Sequence, residues 1–237
     1  MASPTIESVT ATAFSASSTT HNVNMPASVT AGWLLIMGFG FSTDTTVTTP
    51  TDWSIVSAKV TDTATQIIFG KDADGTEGGT TVNVATGASR AAAAQVYAIS
   101  GWNGTLASDV TDGGGASSGG AADNAPNPPS VAWGWGALDE LILAFAHATA
   151  ASTFSSAPTN YTNLTTTQAS SAGSANWMAS ARRSLTATAS PENPGTFTLS
   201  ASELWVANTI AIRPVDATPQ NLRMDVASQA HAALLGW

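Results

Sequence analysis

Short apolar runs separated by Gly, Pro, Asn and Asp residues dominate the hydrophobic pattern of this 237-residue chain. Apolar or alternating runs bounded by such turn residues are typical of β-strands. The chain is therefore predicted to be all-β. The pattern predicts strands at these positions: 33–41, 53–59, 65–71, 80–86, 91–100, 131–135, 140–147, 161–167, 175–183, 195–200 and 203–213.

The second half of this strand series repeats the first. Three pairs of segments match: 34–36 with 141–143, 50–53 with 158–161, and 96–99 with 209–212. The alanines at 91–94 favour a helix, but the matching segment in the second half is β-branched and aromatic, so both are assigned as strands. We expect a duplicated antiparallel β-sandwich, jelly-roll-like, formed as one unit because no hinge-like linker separates the copies.

The expected organisation has an N-terminal arm or edge strands at 1–31, the duplicated sandwich at 32–214 and a tail at 215–237. Copy one covers about 32–102 and copy two about 131–214.

Between the copies, 103–130 is rich in Gly, Ser, Asp and Pro, a composition typical of a long loop. A flexible crossover and a binding loop both remain open for this segment.

In the tail the strand-like pattern ends, and the spacing of apolar residues predicts one amphipathic helix. Thr218 can cap its N-terminus with Pro219 in the first turn, and apolar residues follow at helical spacing. An isolated helix of this length is marginal in water, so it must dock on its own sandwich or on a neighbouring subunit. The candidate partner-interface residues are Leu222, Val226, Leu234, Leu235 and Trp237.

Composition narrows the classes of partner. Charged residues make up 10% of the chain, the net charge is −9, and only seven Lys and Arg residues are present, which disfavours nucleic acid. The absence of cysteine excludes disulfides and thiolate metal sites. The N-terminus lacks the basic and apolar regions of a secretion signal, and the longest apolar run, 33–41, is too short for a membrane span. We expect no membrane partner, and synthesis in a host cytoplasm.

The segments that resemble catalytic or metal-binding motifs are better explained by structural roles. A Gly-x-Ser-x-Gly string at 115–119 lies in the Gly-rich loop without the strand and helix of a nucleophile elbow. His147 alternates with apolar residues and is expected to be a hydrogen-bonded or exposed strand histidine. The acids of the 71–79 segment, Asp72, Asp74 and Glu77, favour a hairpin turn over a Ca²⁺ site. We predict no catalytic residues, no metal and no cofactor.

Trp133 and Trp135 lie two positions apart, which in a strand would place both on one face. Core packing is favoured for them, and a carbohydrate- or partner-binding surface remains the alternative. Four other tryptophans are expected in the core or at the rim of the sandwich: Trp53, Trp102, Trp177 and Trp205.

The segments AGWLLIMGFG, TPTDWSIV, KDADGTE and ENPGTFTLSASELWVANTIAIRP resemble a group of phage-encoded β-sandwich virion proteins. The resemblance covers roughly 30–214. It implies a non-enzymatic virion protein, a capsid decoration or cement protein or a tail-associated component. Its partners would be the major capsid protein or other virion proteins, and it would form a homo-oligomer. The alternative is a tail-fibre or receptor-binding module that recognises host glycans.

Overall fold

The computed structural model describes residues 2–43, 45–149, 152–171 and 174–216. Strands account for most of these residues, and one short helix, α1 (Leu106–Asp109), is present among them. The strands are β1 (Thr5–Asn24), β2 (Leu34–Ser42), β3 (Val47–Thr48), β4 (Ser54–Val60), β5 (Ala64–Asp72), β6 (Thr81–Ser100), β7 (Val110–Ser117), β8 (Leu141–Ala148), β9 (Phe154–Ser156), β10 (Thr162–Ser171), β11 (Ser174–Ser184), β12 (Thr198–Leu199) and β13 (Trp205–Ile212).

Each copy of the repeat supplies most of one sheet, and a strand from outside the copies, β1 or β7, completes its edge. The first sheet has the order β1-β6-β2-β5-β4, with β3 pairing β6, and the second has the order β7-β13-β8-β11-β10. All strand pairs are antiparallel, and the connections skip over neighbouring strands in the same way in both sheets. The two sheets pack face to face. The all-β class and the duplicated antiparallel sandwich predicted from the sequence are confirmed.

The repeated turn keeps its geometry in both copies. In the turns 50–53 and 158–161, the aromatic N–H donates to the proline carbonyl at 3.2 and 3.0 Å, respectively. The third residue is left-handed in each, with a φ of +65° at Asp52 and +67° at Asn160. Asp and Asn tolerate this region better than most residues, so the two turns conserve a backbone shape through equivalent side chains.

Both faces of each sheet are buried, which explains the continuous apolar runs of the central strands. In β2, Leu34 and Ile36 point between the sheets, whereas Leu35 and Met37 point to the outer side of the first sheet. β1 and β6 pair along their whole lengths as a two-stranded ribbon. Its second part, 18–24 of β1 with 81–90 of β6, covers that outer side and places Val23 and Val84 over it. Irregular pairing between Phe14 and Thr20 allows the ribbon to bend.

The outer face of the second sheet is covered differently. The small β9–β12 sheet brings Phe154 and Leu199 onto it, and Phe197 packs edge to face on Phe154 at 5.8 Å. Val131 and Trp133 join the same core from the segment before β8. The molecule thus has a core between the sheets and one core outside each sheet.

The central strands face each other at equivalent positions of the repeat. Gly38 and Gly40 of β2 correspond to Phe145 and His147 of β8. A Cβ atom at Gly38 would lie 3.1 Å from the Phe145 ring, and one at Gly40 would lie 2.6 Å from His147 Cδ2. The bulky residues of one copy therefore fill the space left by the glycines of the other.

The expectation of a loop over 103–130 is wrong in its first part. Residues 106–117 form α1 and β7, and β7 takes the sheet edge that β1 takes in copy one. Its glycines fit close contacts: a Cβ at Gly113 would lie 2.6 Å from the Ser130 carbonyl oxygen, and one at Gly115 would lie 2.5 Å from Lys59 Cβ. Glycine content here reflects close packing of a strand instead of a loop.

Four further strand expectations need correction. The segment 131–135 is not a strand, because only Val131 pairs, with Glu192. The segment 195–200 narrows to β12, and the predicted strands 80–86 and 91–100 are one 20-residue strand, β6. The lead-in contains β1, also 20 residues long, which pairs along β6. The predicted tail helix falls on residues that lie outside the described ranges from 217 onward.

Candidate functional site

A surface groove of about 480 Å³ lies where α1 and the start of β7 meet the segment before β8. Its walls include Ser108, Thr111, the 132–135 segment and Arg213. A second groove of about 420 Å³ shares Ala107, Val110 and Thr111 with the first and continues to Ile55 on β4. The two grooves therefore adjoin along α1 and the start of β7, and together they are called the channel.

A stacked tryptophan pair forms one wall of the first groove. The rings of Trp133 and Trp135 lie 6.2 Å apart between centroids and are inclined by 19°. Trp133 is buried, its indole N–H donates to the Gly136 carbonyl at 2.9 Å, and its backbone N–H donates to the Ser190 hydroxyl at 2.9 Å. Trp135 is half-buried, and its indole N–H has no hydrogen-bond partner among the described residues. Trp133 therefore anchors the pair, and Trp135 is held by stacking.

These positions resolve the two alternatives for the pair only in part. Trp133 belongs to the outer core of the second sheet, as the core-packing hypothesis predicts. The expectation that the two lie on one strand face is wrong, since 132–135 is irregular. The rings nevertheless stack, and Gly136, with a φ of +90°, places its carbonyl where the Trp133 indole N–H can donate to it.

An ion-pair cluster fixes the opposite wall. Arg213 Nη1 donates to the Asp109 carboxylate at 3.1 Å, and Nη2 donates to both carboxylate oxygens of Asp216 at 2.9 Å. Asp109 is only 1% exposed and also accepts from the Thr105 N–H at 3.0 Å and from the Asn103 amide at 3.1 Å. The guanidinium charge is thus neutralised, and the wall is rigid.

The acidic turn at 71–79 is held by its own contacts. Lys71 Nζ lies 2.9 Å from Glu77 Oε1, and the backbone N–H groups of Asp74 and Gly75 each donate to Glu77 at 3.0 Å. Burial alone would raise the pKa of Glu77, but Lys71 and these N–H groups lower it overall. Asp74 caps the turn by accepting from the Thr76 N–H at 2.8 Å. Glu77 and Asp74 thus hold the turn itself. The hairpin interpretation is wrong, because the segment connects β5 to β6 and β2 lies between these two strands in the sheet.

The histidine of β8 is fully buried between the sheets. His147 Nε2 lies 3.2 Å from the Asn176 side-chain oxygen, and Asn176 donates to the Ala91 carbonyl at 3.0 Å. Burial lowers the pKa of His147 to about 4, although the hydrogen bond with Asn176 acts in the opposite direction. The hydrogen-bonded alternative predicted from the sequence is therefore the one observed.

Two strand edges on one side of the sandwich carry almost no charge. β1 and β10 end their sheets and lie against each other across the sandwich. From Ser8 to Asn24, and throughout β10, there is no Asp, Glu, Lys or Arg. The opposite side differs, because Lys59 lies on β4 and Asp112 on β7.

No group of three or more potential metal ligands occurs within the described ranges, and no helix there is long and apolar enough to cross a membrane. The Gly-x-Ser-x-Gly string lies at the end of β7, with Ser117 paired to Val206 of β13. Comparison with models of known protein families, with curated proteins and with solved structures finds no significant match to this chain.

The tryptophan wall of the groove is recognisable in the sequence, whereas the wall formed by Asp109 and Arg213 is not. Trp133 and Trp135 were recognisable as a closely spaced aromatic pair. Asp109 and Arg213 meet although they lie 104 positions apart, and neither belongs to a motif. The five candidate interface residues of the tail lie beyond the part of the chain that the structure describes.

Proposed function

We propose that this chain is a non-enzymatic structural protein of a phage virion, which decorates or cements the capsid through repeated protein–protein contacts. The observation that carries the proposal is the uncharged edge formed by β1 and β10. Through this edge the protein would bind further copies of the same chain and the major capsid protein or other virion proteins.

The β1 edge suits assembly because it lacks the usual protection. A strand at the edge of a sheet presents unpaired N–H and C=O groups, and soluble proteins commonly guard such strands with Lys or Pro. β1 is 20 residues long, contains neither residue, and has an exposed Val9 in its first half. Antiparallel pairing of two β1 strands is self-complementary and suits a twofold oligomer.

Repetition makes weak contacts sufficient for a decorating protein. When an oligomer engages several equivalent sites, each further contact forms at a high effective concentration. The low content of charged residues, 10%, favours contacts through hydroxyl and apolar groups over ion pairs. Association of this kind is expected to depend little on ionic strength, since screening acts on exposed charges.

Two lysines on the edge strand test the assembly surface. Ala11 and Ala13 are exposed, so the double variant Ala11→Lys, Ala13→Lys leaves the cores intact. Wild-type protein is expected to be oligomeric by analytical ultracentrifugation, and the variant is expected to raise the dissociation constant by roughly tenfold or more.

The matched control places the same charges on the opposite edge. Ala58 and Val60 of β4 are exposed, and Ala58→Lys, Val60→Lys should leave the oligomer unchanged. A wild-type chain that stays monomeric at about 100 µM, or an equal loss in both variants, contradicts the edge-assembly proposal.

The tail and the virion location need separate experiments. Deleting 217–237 is expected to leave the sandwich folded while weakening oligomer or capsid association; unchanged association would remove the tail from the interface.

Imaging of intact particles should place this chain on the capsid surface, and a chain absent from particles would overturn the virion assignment.

A further inference from the structure

We infer that the groove beside Trp135 is a binding site for a neutral oligosaccharide. This site lies on the β4–β7 side of the sandwich, away from the β1 edge, so it is independent of the proposed assembly function. Three observations carry the inference: the stacked indole platform, the neutralised charge of the opposite wall, and the volume of the channel.

The platform is built to support a flat apolar ligand face. A half-buried Trp135 resting on a fully anchored Trp133 presents a large rigid surface that loses little conformational entropy on binding. Sugar rings have one face of C–H groups that packs against an indole, with their hydroxyls directed to the sides. The hydroxyls of Ser108 and Thr111 on the same walls can donate to or accept from such groups.

Charge selects a neutral sugar over an acidic one. Arg213 is the cation of this groove, and Asp109 and Asp216 already engage its guanidinium at 2.9–3.1 Å. The chain as a whole carries a net charge of −9, which repels anions. Phosphate, sulfate or uronic acid groups would therefore meet a guanidinium whose charge the two carboxylates already balance.

The two adjoining grooves, of about 480 and 420 Å³, offer room for more than one sugar ring. The second groove continues from Thr111 past Asp112 to Ile55 and Val56 on β4. Ile55 is 50% exposed there and gives this end of the groove an apolar surface. Peptides that bind by strand addition use the backbone of an open edge instead of stacked indoles, so the aromatic wall favours a saccharide.

The test measures binding of defined sugars. A panel of neutral gluco-, galacto-, manno- and chito-oligosaccharides, with uronic-acid and sulfated oligomers as acidic members, is titrated against the full chain by isothermal calorimetry. At least one neutral oligomer is expected to bind with a Kd between about 10 µM and 1 mM, with longer oligomers binding more tightly. Trp135→Ala is expected to weaken this binding by roughly tenfold or more.

The control uses a second half-buried tryptophan. Trp177 packs on the same outer core as Trp135 but does not line the groove, so Trp177→Ala should leave sugar binding unchanged. If Trp135→Ala fails to fold, Ala107→Gln fills the groove from an exposed helix position and should weaken binding to the same extent.

Three results would overturn the inference: no neutral member binding at about 10 mM, binding of acidic members alone, or equal loss in Trp177→Ala and the groove variants. None of these results bears on the sedimentation experiment with the β1 edge, so the two proposals can fail separately.

Discussion

Replacing Gly40 with alanine is expected to lower the free energy of unfolding by about 2–3 kcal/mol. The new Cβ would lie 2.6 Å from His147 Cδ2 and 2.8 Å from Cγ, with His147 Cβ at 3.2 Å. The imidazole cannot turn away without breaking its hydrogen bond with Asn176 between the sheets. The two sheets must therefore separate locally, which loses contacts throughout a close-packed core. Urea unfolding followed by circular dichroism measures the change.

Gly38→Ala is the matched control, two residues away on the same inner face of β2. There the nearest atom to the new Cβ is Met178 Cε, the far end of a flexible side chain, at 2.2 Å. Methionine can move into another rotamer, and the Phe145 ring at 3.1 Å must shift by only a few tenths of an ångström, so the cost should be about 1 kcal/mol, below that of Gly40→Ala. Equal destabilisation by the two substitutions would show that His147 is not what limits the distance between the sheets.

Acidification from pH 6.5 to pH 4 is expected to cost roughly 3 kcal/mol of stability through His147 alone. Burial lowers its pKa to about 4 in the folded chain, from the 6.5 of an ordinary exposed histidine. In this pH window the unfolded chain takes up a proton that the folded chain does not. The stabilisation is thus fully present above pH 6.5 and is lost as the pH falls towards 4.

His147→Gln separates this effect from the other titrating groups. Glutamine can keep a hydrogen bond with Asn176 but does not titrate, while His21 and the carboxylates remain in both proteins. Between pH 7 and pH 5 the wild type should lose about 2 kcal/mol more than the variant in urea unfolding. Parallel pH profiles for the two proteins would rule out His147 as the source of the acid sensitivity.

The central strands could be predicted from the sequence because burial on both faces gives them continuous apolar runs. β2, β5 and β8 each lie within about one residue of the expected limits. β11 does so too, although Asn, Ser and Arg interrupt its apolar residues. The edge strands were harder. β1 is rich in Ser and Thr, and exposed positions alternate along its first half. β7 contains three consecutive glycines, so neither strand shows the apolar pattern from which strands are predicted.

The groove could be anticipated only where its residues are close in sequence. Trp133 and Trp135 form a visible aromatic pair, but their stacking depends on an irregular segment rather than on strand alternation. The other wall depends on Arg213, at the end of β13, meeting Asp109, at the end of α1. This meeting follows from β7 pairing with β13, and strand pairing across a long separation leaves no mark in local composition.

The packing between the two sheets is not symmetric, because the small residues lie on one sheet and the bulky residues that fill their space lie on the other. Glycines at 38 and 40 belong to the first half, and the residues that fill their space, Phe145 and His147, belong to the second. Two first halves brought together would leave gaps along their shared axis, and two second halves would collide there. The two copies are therefore not interchangeable across the sandwich: produced as separate fragments, they should pair with each other in preference to a second copy of themselves.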